Sequence, residues 1–183
     1  MEEIEVPIDS VQEKLNETAL ERSSEERERW ISLVALSSAI FAVFAAISSL
    51  MAGHHSNEAM LEQIQASDHW SYYQAKGIKA SLLETRIELL KGMGKPVAEK
   101  LSEKLPEYKK EQEEISEKAK ERETSSKHHL VIHQILARSV TLFQVAIAIA
   151  AVAVLTRRKH FWLLGLLFGA VGIGFFIEGL WFL

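Results

Sequence analysis

The sequence predicts an all-α membrane protein with three transmembrane helices and a long extramembrane antiparallel helical, coiled-coil-like hairpin between the first and the second. Three observations predict it. Apolar residues make up 48% of the 183 positions and gather in three blocks, Trp30–Met51, Ser139–Leu155 and Phe161–Leu183. The first and third blocks are about 22 residues each, enough at 1.5 Å per residue to cross a hydrocarbon core of about 30 Å. No proline interrupts the chain between Pro7 and Pro96. Small residues then recur three and four apart at Ala35, Ser38, Ala42, Ala45, Ser49, Ala52, Ser56 and Ala59, the spacing of a helix face pressed closely on a neighbour.

Taken in order, residues 1–29 form an N-terminal amphipathic segment, with Asp9 or Ser10 as a helix cap and Val11 and Leu15 as its apolar stripe. The first span, 30–51, is too long and too far from the start for a cleaved signal peptide, and it reads as an uncleaved anchor. The hairpin, 52–135, keeps helical periodicity through Leu61, Ile64, Ala75, Ile78, Leu82 and Leu89, so one helix of about 90 Å is predicted from Trp30 to Lys91. Gly92, Met93, Gly94, Lys95 and Pro96 stop it, and a short helix, PVAEKLSEKL, follows. Pro106 suits the first turn of a return helix, because its missing N–H is tolerated there. The run EYKKEQEEISEKAKERE is polar nearly all round, with i,i+4 pairs such as Glu114 and Lys118, and reads as a solvated face. The second span is 136–156, a basic turn occupies 157–160, and the third span is 161–183.

The turn carries Arg157, Arg158 and Lys159, and Arg22, Arg27 and Arg29 flank the first span on the same side. Positive charge stays in the cytoplasm, which places the N-terminus and this turn inside and the hairpin outside. Trp30, Trp162 and Trp181 fall where an aromatic belt would lie. The segment HWSYYQAKGIKA puts Trp70 and Tyr73 on the heptad line, where packing against the return helix explains them better than ligand recognition.

Two ionisable residues lie inside apolar blocks. Arg138 and Glu178 are each twenty positions from Arg158, so antiparallel spans bring them level as an intramembrane ion pair. Such a pair is more often a neutralised structural feature than a proton relay. A small-residue line at Ala137, Thr141, Gln144, Ala148 and Ala151, and the Gly165/Gly169 spacing, provide further close-packing faces. Of the seven histidines, His54 and His55 follow the first span, while His128, His129 and His133 precede the second. The four-residue spacing of His129 and His133 lets two imidazoles share a zinc or copper ion, with His54, His55 and Glu58 facing them. Histidine also sits comfortably at a wet interface without metal, and no obligatory cofactor is expected.

A net charge of −4 gives no nucleic-acid surface, and the absence of cysteine removes disulfides, thiol nucleophiles and thiolate metal sites. No GxSxG, HExxH, Walker or GxGxxG pattern stands in a suitable context, so no enzymatic activity is expected.

The opening MEEIEVP, the block ERWISLVALSSAIFAVFAAISSLMAGHH and the segment GHHSNEAMLEQIQASDHWSYYQAKGIKASLLE resemble a family of bacterial membrane proteins known as domain of unknown function 4337. The resemblance covers nearly the whole chain and implies a bacterial membrane protein with this span arrangement. It implies no activity. The reading is of a multi-pass inner-membrane protein that forms a homo-oligomeric helical scaffold in the lipid bilayer or binds a periplasmic protein partner. The alternatives are a small ion- or proton-conducting subunit and a periplasmic metal sensor or buffer built on the histidine layer.

Overall fold

The computed structural model describes residues 8–182, with side chains described at 16–18 and 28–182. The expected cap at Asp9 or Ser10, the stripe at Val11 and Leu15, and the flanking Arg22 and Arg27 lie outside the residues whose side chains are described. Among the described residues every regular element is helical: α1 (Ile8–Gly92), α2 (Glu99–Thr156) and α3 (Lys159–Trp181). Each contains a stretch long and apolar enough to cross a membrane.

Two boundaries differ from the sequence reading. The expected short N-terminal helix is not separate, because α1 runs as one helix from Ile8. Likewise PVAEKLSEKL does not form its own element; α2 begins at Glu99 and continues through Pro106. Proline in a helix removes one i→i−4 bond and crowds the preceding turn. Here Pro106 is exposed, as are Ser102 and Glu103 on the turn before it, so water can take the freed carbonyl.

Both turns close by the same hydrogen-bond arrangement. At the end of α1, Lys95 N–H donates to Leu90 O at 2.9 Å and Gly94 N–H to Lys91 O at 3.1 Å, with Gly94 at φ 65°. This 6→1 and 5→2 pair is a Schellman motif, and its left-handed position suits glycine. At the end of α2, Arg158 N–H donates to Ala153 O at 3.2 Å and Arg157 N–H to Val154 O at 3.3 Å. Arg157 holds the left-handed position there, at φ 53°.

The chain divides into two compact units. The first takes residues up to Ser49 together with Arg138–Glu178; the second takes Leu50–Ala137 and the residues from Gly179 on. In the first unit, Phe41, Ala45, Phe143 and Ala146 form a buried core, with Phe44, Leu166 and Phe176 packed against it. Phe143 stacks on Phe41 and on Phe44, at centroid distances of 6.0 and 5.8 Å. A second cluster joins Trp30, Val34 and Ala150 with Val154 and Trp162. Gly165 and Gly169 serve different neighbours: a Cβ on Gly165 would lie 3.1 Å from the Ala146 carbonyl of α2, whereas one on Gly169 would collide with the Phe41 ring of α1.

In the second unit, α1 and α2 lie side by side with opposite chain sense, since their contacts pair Ala52 with His133, Ala59 with Ser126 and Tyr73 with Gln112. The buried line on α1 is Ala52, Ala59, Ala66, Ala80 and Ile87, each seven or fourteen residues from the last. On α2, Ile115 and Ala119 are buried in the same unit. Small side chains let the backbones approach, and the seven-residue step keeps one face of α1 against its neighbour. α1 passes through Gly53 in helical conformation.

Candidate functional site

The seam expected from the sequence is displaced by one position on half of its members. Ala45, Ala52 and Ala59 are buried, and Ser38 and Ser56 are half-buried, but Ala35, Ala42 and Ser49 are exposed. Val34, Phe41, Ser48 and His55 take the places of Ala35, Ala42, Ser49 and Ser56. From Ala45 onward, spacings of four then three and of three then four are both helical stripes. Burying Val34 and Phe41 removes more apolar surface from water than burying two alanines, which favours the second. On α2 the expected line is displaced by two positions: Ala137 is half-buried and Thr141, Gln144, Ala148 and Ala151 are exposed, while Ser139, Phe143, Ala146, Ala150 and Ala153 are buried.

The polar residues of the second unit form a ladder between α1 and α2. Ser126 Oγ donates to Ala59 O at 2.7 Å, and Arg122 donates through Nη1 to both oxygens of Glu62 at 2.9 and 3.1 Å. Trp70 Nε1–H donates to Glu123 Oε1 at 2.9 Å, with Tyr73 edge-on to the indole at a centroid distance of 5.5 Å. Gln112 Nε2 donates to Tyr73 O at 3.3 Å. Lys76 bonds Glu111 and lies over the rings of Tyr108 and Tyr72, at 5.1 and 5.5 Å. The Glu111 carboxylate raises the Lys76 ammonium above its usual range. Of these rungs, the sequence pointed only to Trp70 and Tyr73. The others join residues 35 to 67 positions apart, and no local pattern marks such partners. On α2 the ion pair four residues apart is Lys110 with Glu114 at 4.0 Å.

The histidine layer is assembled, but not around the expected pair. His55 Nδ1 and His129 Nδ1 are 2.9 Å apart with their rings stacked, so one ring donates its N–H to the other's lone pair. His133 points its Nδ1 at Ala52 O, 2.8 Å away, and spends a donor there. His54 is exposed, with its ring edge against His55. Among the described residues no three His, Asp or Glu side chains converge as a metal donor set. Burial, then the neighbouring imidazoles of His129, His54 and His128, hold the His55 ring below the usual histidine range, with Glu58 opposing them.

Arg138 and Glu178 are both exposed on the first unit, and the ion pairs found among the described residues do not join them. Trp162 Nε1–H donates to Ser37 Oγ at 3.1 Å, linking α3 to α1. Among the described residues of this unit, Trp30 Nε1 and Ser48 Oγ are buried without a hydrogen-bond partner.

The sequence model of the family described as Domain of unknown function (DUF4337) matches residues 30–182. The chain belongs to that family. The DUF4337 match begins at Trp30, so it spans all three apolar stretches and the whole α1–α2 ladder. No curated protein and no solved structure matches the chain.

Proposed function

We propose that this protein is a membrane-anchored, non-enzymatic helical scaffold that works as a homo-oligomer. In this reading α1 and α2 form a coiled-coil-like hairpin held outside the cytoplasm of a bacterial inner membrane. The observation that carries it is the ladder: at intervals along the second unit, His55, Glu62, Trp70, Lys76 and Gln112 reach across to bond the neighbouring helix or be bonded by it. Cross-helix bonds of this kind fix register and alignment, which serves a projecting arm rather than a reaction centre. A periplasmic protein is the natural partner for the outer faces of such an arm. Light scattering of the full chain in lipid nanodiscs at micromolar concentration tests the assembly; a defined multimer is expected, and a strict monomer contradicts it.

A second reading, an ion- or proton-conducting subunit, draws on the exposure of Arg138 and Glu178 in otherwise apolar stretches. Intramembrane charges facing outward from one subunit can line a path between subunits. Proteoliposome flux that disappears in Glu178→Gln would favour it, and no flux removes it.

A further inference from the structure

The side of α1 that turns away from α2 in the second unit carries an apolar stripe, interrupted by Asp68, Ser71 and Thr85. Leu61, Ile64, Ile78, Leu82, Leu89 and Met93 are 51, 52, 62, 66, 60 and 59% exposed. The first five keep helical spacing among themselves and with Ala75 and lie across the helix from the buried Ala80 and Ile87, and Met93 flanks them in the turn that follows α1. The sequence shows this stripe, but α2 does not cover it. α1 is therefore a two-sided helix.

We infer that a second copy of this chain docks in parallel on this stripe, helix α1 against helix α1. The inference rests on the homo-oligomeric reading above and names the face through which it is made. Three considerations select a second copy.

The first is size. Fully burying a leucine-sized side chain removes about 100 Å² of apolar surface, and these six with the flanking Met60 and Tyr72 are 50 to 66% exposed, so they offer about 500 Å² per chain. In an interface about 60% apolar, that accompanies about 800 Å² per partner, the size of a standard stable complex. The second is shape. A stripe of three- and four-residue spacing this long fits a helix of equal length and phase. Within the second unit the outer face of α2 does not qualify, since Glu113, Glu117, Lys118, Lys120 and Glu121 are exposed along it. The stripe's own copy does. The third is orientation: copies anchored in one bilayer point the same way, so parallel, in-register pairing sets Leu82 against Leu82. That register also opposes the two Asp68 carboxylates, because Asp68 lies on the same line between Ile64 and Ala75.

The chain has no cysteine, so single cysteines report the face directly. Full-length Leu82→Cys and Lys118→Cys proteins would be placed in phosphatidylethanolamine and phosphatidylglycerol vesicles and oxidised. Leu82→Cys is expected to give at least tenfold more disulfide-linked dimer than Lys118→Cys, and Asp68→Asn is expected to raise that yield. Equal yields overturn the inference, and an unchanged or lower yield with Asp68→Asn overturns the parallel register. If the samples with equal yields are still multimeric by light scattering, only the face is wrong. If they are monomeric, the scaffold reading fails as well.

Discussion

His55 is the side chain whose environment most directly couples pH to the α1–α2 pair. Its folded pKa is lowered by burial and by the imidazoles around it, relative to an unfolded value near 6.5. The unfolded chain therefore binds more protons at mildly acid pH, and the stability linked to this ring is complete above about pH 6.5 and lost as pH falls through the lowered value. A fall in the urea midpoint of unfolding from pH 7.5 to pH 5 is expected. His55→Asn should flatten that fall while His69→Gln leaves it; equal slopes would contradict the assignment. Arg157 bears a different strain. A non-glycine residue in the left-handed region costs about 1 kcal/mol or more, so Arg157→Gly should stabilise the protein by about that amount. A rise in thermal midpoint in detergent checks this, and Arg158 and Lys159 keep the turn basic.

The helices were legible from spacing, proline placement and glycine stops, but their phases were not. Nothing local separates Ala45 followed by Ser48 from Ala45 followed by Ser49, because both are one helical turn. The choice depends on where Phe143 and His129 arrive from α2, close to a hundred positions away in the case of Phe41 and Phe143. Pro106 misled for a related reason: its preference for a first turn is local, while the exposed turn before it lets α2 begin at Glu99. Spacing along α2 favours His129 with His133, whereas contact across helices pairs His129 with His55. Gly165 and Gly169 read as one face and serve two. Gly169→Val would drive a branched side chain into Phe41, which is itself stacked on Phe143. A loss of about 1–3 kcal/mol is expected from such overpacking. Gly174→Ala, with nothing within 4 Å of its added Cβ, is the matched control. Comparable thermal midpoints for the two variants would contradict this packing.

The chain combines three membrane-length apolar stretches with a polar two-helix unit, and that combination was visible in where the hydrophobic residues collect. Less visible was the division of labour on α1, whose alanine face meets α2 and whose leucine and isoleucine face does not. A periodic apolar residue announces a helix; it does not say which neighbour takes it. The scaffold account requires that the alanine face be satisfied within one chain, leaving the other face for assembly. The Ala59→Cys, Ser126→Cys double variant measures this directly, since Ser126 Oγ bonds the Ala59 carbonyl and the chain has no other thiol. Oxidation in membranes should yield a disulfide within the chain, running as a monomer on denaturing gels with both thiols protected from alkylation. Disulfides formed only between chains, or two thiols that remain freely reactive, would contradict it.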